Sequence, residues 1–145
     1  MKTDSIDWCL RISLAHASLS LKLDDELGTF HGLSLADFIV LRQLSQAPDG
    51  HLPMADLVRP LGLRPSAVMR MLLPLEKTGL VQRESSAGSS SRGVAIRPAG
   101  KRVLQEALVT AEQVCKAALA QLPADALPLV ASVLSTMCRT DALAV

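Results

Sequence analysis

The stretch from Leu61 to Arg97 leaves the chain little freedom in what it can fold into. Leu61, Gly62 and Leu63 make a turn, and Pro65 then falls near the first position of a helical run from about Arg64 to Thr78, where its missing N–H is no loss. Val68, Leu72 and Leu75, with Leu61 one turn earlier, line up as an apolar seam. That leaves Arg64, Ser66, Ala67, Met69 and Arg70 nearer the open face. Gly79 suits the left-handed residue that commonly ends a helix. Pro74 fits less well: an interior proline removes one backbone bond and crowds the carbonyl of Arg70, so a bend, or tertiary contacts that tolerate it, is expected. Beyond Gly79, Leu80 to Glu84 and Gly93 to Arg97 have the alternating character of short strands. The small, polar tip between them, residues 85–92, is longer than a tight hairpin needs.

Charge is concentrated on the same stretch. From Arg59 to Arg102 there are nine basic residues against Glu76 and Glu84, a local balance of +7. The rest of the chain stands at −6, so the overall +1 conceals a strongly dipolar distribution. Phosphate binding depends on the local field rather than on the sum. A basic, exposed helix followed by a hairpin with basic flanks is the layout of a winged helix-turn-helix; a merely solvated linker is the plainer reading of the serine-rich tip.

The remaining elements are predicted in order. Ile6, Leu10, Leu14, Ala17 and Leu21 recur every three or four positions and give a helix from residue 4 to about 27, with Cys9 close to the stripe. Asp24, Asp25 and Glu26 at its end are expected to be solvated, and Gly28 and Gly32 to break the pattern. Ser34, with Asp37 three residues later, starts a second helix whose Leu35, Phe38, Ile39, Leu41 and Leu44 belong in the core. Ala47 to Gly50 form a turn, after which His51 and Leu52 supply a very short strand against the later hairpin. Pro53 stands at the start of a short third helix carrying Met54, Leu57 and Val58, which Pro60 should stop or distort. Pro98 opens a long helix from about Ala99 to Leu122 with the heptad rhythm Leu104, Leu108, Ala111, Cys115, Ala118, Leu122. A final helix, capped by Asp125, presents Leu127, Val130, Leu134 and Met137 on one face.

The expected fold is therefore mostly α with a small β-hairpin wing. Residues 34–98 form the winged helix-turn-helix region, and 1–33 and 99–145 form helical dimerisation regions within a single domain. The terminal helices carry more apolar surface than one small winged domain covers. A two-fold homodimer buries it and sets two recognition helices on one duplex.

Composition narrows the function classes. Apolar residues make up 49% of the chain, and Trp8, Phe30 and Phe38 are its aromatics, which fits an aliphatic helical core. No apolar run reaches the roughly 20 residues of a membrane span, and Asp4 and Asp7 replace the basic start of a secretory signal, so a cytoplasmic protein without membrane contact is expected. His16, His31 and His51 lack metal-like spacing, no Gly-rich phosphate loop occurs and no nucleophile motif surrounds the serines. Neither an enzyme nor a cofactor or metal is expected. Cys9, Cys115 and Cys138 are too far apart for a CxxC motif; buried apolar thiols are the plain reading, and a redox switch between subunits is the alternative.

The run GLSLADFIVLRQL, followed by DLVRPLGLRPSAVMRMLLPLEKTGLVQRE and VAIRPAGKRVL, resembles the MarR family of bacterial transcriptional regulators over essentially the whole chain. The resemblance implies a homodimeric winged helix-turn-helix repressor that binds a pseudo-palindromic duplex operator. It also implies release by a small aromatic or phenolic effector or by cysteine oxidation. The positions that match the family's major-groove contacts are Arg64, Ser66, Ala67, Met69 and Arg70, and Arg92 matches the wing arginine that enters the minor groove. The chain departs from the pattern at Ser90, where an acidic residue usually stands, and in a shortened loop.

An effector pocket is expected where the terminal helices meet the winged region, with Arg11 and His16 as polar candidates and Trp8 as a wall. His16 also has the plainer reading of an ordinary surface or half-buried histidine. Two rivals stand beside the ligand-released repressor: a redox-sensing regulator using Cys9, Cys115 or Cys138, and a winged-helix protein-interaction module that never binds DNA.

Overall fold

The computed structural model describes residues 4–84 and 93–138. Arg92, Ser90 and the rest of the serine-rich tip lie outside the described residues. The chain divides into two compact units, Met1–Val114 and Cys115–Val145.

The first unit opens with α1, Ser5–His31, whose N-cap Asp4 accepts from the Ile6 amide. The helix passes through Gly28 and ends at Gly32, which is left-handed at φ 65°. Gly28 was expected to end it. Burial of Leu23 and Leu27 outweighs the roughly 1 kcal/mol that a helical glycine costs. Gly28 instead supplies the closing carbonyl: Gly32 N–H donates to Gly28 O (3.1 Å) and Leu33 N–H to Leu27 O (3.3 Å), a paired closure that satisfies the last carbonyls.

Helix α2, Leu35–Gln46, begins at the predicted capping box, with the Ser34 hydroxyl and the Asp37 carboxylate each accepting the other's backbone N–H. Asp24 does more than face water. Its Oδ1 accepts the Leu35 amide at 2.6 Å, tying α1 to the start of α2. Phe38, Val40, Leu41 and Leu44 are buried along α2.

A single 3-10 turn, Pro48–Gly50, leads into β1, His51–Pro53. Helix α3, Met54–Leu61, contains Pro60 one residue before its end, and Gly62 follows at φ 61°. Helix α4, Pro65–Lys77, has Pro65 at its first position as predicted and continues through Pro74. Leu72 and Leu75, buried on either side of Pro74, hold the helix where the backbone bond is missing. The Pro74 carbonyl then accepts both the amide (3.0 Å) and the hydroxyl (2.9 Å) of Thr78.

Strands β2, Val81–Glu84, and β3, Gly93–Ile96, pair antiparallel, and β1 adds to the other side of β3, giving the order β1-β3-β2. Leu52, Val94, Arg83, Val81 and Ile96 share one face by register, and His51, Ala95, Gly93, Gln82 and Glu84 the other. Val81, Val94 and Ile96 are buried, so the first face lies on the core with Leu41, Leu44, Leu57, Val68 and Leu72.

Helix α5, Pro98–Leu119, ends three residues before the predicted Leu122. It starts tightly against β2: Arg97 N–H donates to Leu80 O at 2.9 Å, and the same carbonyl lies where a Cβ on Gly100 would be. Leu104, Ala107 and Ala111 are buried, and Thr110 Oγ1 meets His31 Nε2 at 2.7 Å. In the second unit, α6, Leu127–Cys138, has no buried residue. No described helix is long and apolar enough to cross a membrane.

Candidate nucleic-acid interface

Two short helices joined by Leu61 to Arg64, with Gly62 left-handed between them, set α4 on the surface of the winged unit. Its inner face is fixed by Val68, Leu72 and Leu75. Opposite them Ser66, Arg70, Leu73 and Lys77, spaced by four, three and four residues, form one exposed stripe. Ala67 and Met69 flank that stripe and are half-buried, while Arg64 is exposed at the N-cap. The structure thus places all five predicted helix contacts on or beside the open face of one helix. Leu73, 42% exposed in the middle of the stripe, was missed because its apolar side chain reads as core.

No side chain caps the start of α4, so its first-turn dipole is open to an anion. The guanidinium groups of Arg64 and Arg70 have no partner among the described residues. The two carboxylates of the basic stretch, by contrast, are both engaged. Glu76 Oε2 accepts from Arg83 Nε at 2.6 Å, and Glu84 Oε2 lies 2.9 Å from His51 Nε2. Residue spacing gave no signal of either pair, because the first depends on how α4 packs against β2 and the second on strand register. Among the described residues, both carboxylates between Arg59 and Arg102 are thus paired while Arg64 and Arg70 are not.

An open, mostly apolar hollow of about 420 Å³ adjoins this helix, lined by Met54, Ala55, Val58, Arg59 and Pro65. Trp8, Arg11 and His16 do not line it. All three are exposed on α1, where His16 Nε2 approaches the Ser20 hydroxyl at 3.4 Å. The plain reading of the cysteines also needs correction: Cys9 and Cys138 are exposed and Cys115 is half-buried, all as free thiols. Cys9 lies beside an apolar stripe that is itself exposed in the single chain, at Ile6, Leu10 and Leu14, so helical periodicity alone could not say that it was covered.

The helix-turn-helix and the three-stranded sheet define a winged-helix fold, with a basic outer face on α4. Residues 31–90 match the family model described as MarR family. Solved structures extend the likeness in fold to nearly the whole chain. The MarR family transcriptional regulator Sco3205 from Streptomyces coelicolor, determined in complex with DNA, superposes with a TM-score of 0.83 at 18% identity, covering 94% of this chain and 88% of its own. CouR from Rhodococcus jostii RHA1, bound to p-coumaroyl-CoA, gives 0.85 at 17% identity, covering 97% of this chain and 98% of its own. The oxidised form of MarR from E. coli gives 0.70 at 20% identity, covering 87% and 90%. No curated protein matches the chain.

Proposed function

We propose that this protein is a sequence-specific DNA-binding transcriptional repressor that acts as a homodimer and is released from its operator by a small aromatic or phenolic effector. The observation that carries the reading is the charge arrangement around α4. Among the described residues Arg64 and Arg70 stand unpaired and exposed on the outer face, while Glu76 and Glu84 are held by other side chains. Arg70 and Arg64 are suited to guanine edges or phosphates, Ser66 and the open helix start to a phosphate, and Ala67, Met69 and Leu73 to thymine methyl groups. Arg92 is assigned to the minor groove by its place in the family pattern.

Homodimerisation is supported by the outer faces of the terminal helices. On α1, Ile6, Leu10, Leu14 and Leu21 are each more than half exposed. On α6, Leu129, Val133, Leu134 and Met137 are exposed as well. Apolar stripes of this extent mark protein contact surfaces. Effector release is supported by the fold shared with the ligand-bound CouR, with Trp8, Arg11 and His16 the residues assigned to the ligand.

Fluorescence anisotropy with duplexes tiled from upstream of its own gene, at several salt concentrations, tests the reading. Site-selective binding that weakens steeply with salt and drops on the order of tenfold or more in Arg70→Ala is the expected result. Uniformly weak binding, unchanged by the substitution, would leave the protein-interaction module as the better reading.

A second reading, redox release, is favoured by the exposure of Cys9 and Cys138. It predicts that mild peroxide releases DNA, that thiol restores binding and that a triple Cys→Ser variant no longer responds. A triple variant that still responds excludes it.

A further inference from the structure

We infer that His51 is a positioning residue of the DNA interface, clamping the open end of the wing by holding Glu84 across Gly93. The inference rests on the DNA-binding reading above.

His51 and Glu84 stand on the two outer strands, with β3 between them. Outer strands of a three-stranded sheet are about 10 Å apart, so the two side chains meet only by crossing the central strand. The register puts them on one face: His51 opposes Ala95, and Glu84 opposes Gly93 two residues along β3. Gly93 is what allows the crossing. The three nearest atoms that a Cβ there would meet all belong to the His51 imidazole, so the ring occupies the space a side chain would take. The contact at 2.9 Å needs a proton on Nε2, which the imidazolium and one neutral tautomer both supply.

The location gives the clamp its consequence. Glu84 is the last residue of β2, Gly93 the first of β3, and residues 85–92 run between them. His51 therefore ties both strand ends to β1 at the point where the chain leaves the sheet. The clamp lies on the face opposite the buried Val81, Val94 and Ile96, with side chains 38% and 51% exposed, so the core does not depend on it. It also occupies the carboxylate at the loop end of the hairpin, which would otherwise face phosphate unpaired.

The test uses the full chain and the fluorescein-labelled upstream duplex that the wild type binds most tightly. His51→Ala is expected to weaken binding about three- to tenfold, the range for the net contribution of one exposed hydrogen bond, with the thermal melt unchanged within a few degrees. His51→Gln, which keeps an N–H donor, should recover most of the affinity. Gly93→Ala, which displaces the ring without altering either partner, should weaken binding as much as His51→Ala. The double variant should be no weaker than either single one. Wild-type affinity in His51→Ala, additive losses in the double variant, or a loss matched by a collapsed melt that His51→Gln does not recover would each overturn the clamp. Site-selective wild-type binding with an unaffected His51→Ala sinks only the clamp, whereas a wild type that binds no duplex removes the DNA-binding reading and the clamp with it.

Discussion

Two glycines matter here for what approaches them rather than for an unusual backbone angle. Gly93 carries the His51 ring, and Gly100 carries the Leu80 carbonyl. At Gly100 the neighbour is backbone, which cannot swing aside as a side chain can. Gly100→Ala should therefore push the start of α5 away from β2 and destabilise the fold by about 1–3 kcal/mol, the range for overpacking a tight contact. Urea unfolding would show it as a lower midpoint at unchanged slope. These approaches leave no mark in sequence, since glycine near a strand end or a helix start is commonplace. Arg64, Ser66 and Arg70 were legible because helical period alone separates them from Val68, Leu72 and Leu75. The pairing of His51 was not, because it requires knowing that β3 lies between β1 and β2.

Among the elements, α2 shows where local and distant information part. Its capping box is written in four consecutive residues, Ser34 to Asp37, and was read directly. The Asp24 carboxylate that accepts the Leu35 amide belongs to the preceding helix, eleven residues away, and looked like one of three solvated acids. Replacing Asp24 with Ala leaves that amide without its charged partner. A loss of about 1 kcal/mol in chemical denaturation is expected, typical for a helix cap. Asp25→Ala, at an exposed position with no such role, serves as the control. The length of α1 was underestimated for a related reason: Gly28 lowers local propensity, but burial of Leu23 and Leu27 decides the outcome. By contrast β1, only three residues long, was legible because its partner hairpin was already visible in the pattern.

At the scale of the whole molecule, a chain of net charge +1 carries +7 between Arg59 and Arg102 and −6 elsewhere, so its behaviour toward a polyanion is set by one region. The apolar periodicity of the terminal helices was legible, but periodicity cannot say whether a stripe meets its own chain or a second copy. The 70% exposure of Leu14 favours the second copy. If the proposed homodimer forms through this stripe, Leu14→Glu should shift it to monomer in sedimentation velocity and, with only one recognition helix per particle, lower affinity for the proposed operator steeply. A variant that still sediments as a dimer would move the interface away from α1.

The form of α1 has a mechanical consequence. Its 27 residues make a rod about 40 Å long, from the rise of an α-helix, anchored along its last third by Leu23, Leu27 and the His31–Thr110 bond. Its other end carries the exposed stripe. Such a rod is a lever with its fulcrum in the core, and because Asp24 grips the first amide of α2, a tilt applied to the outer arm is delivered to the helix at the centre of the winged unit.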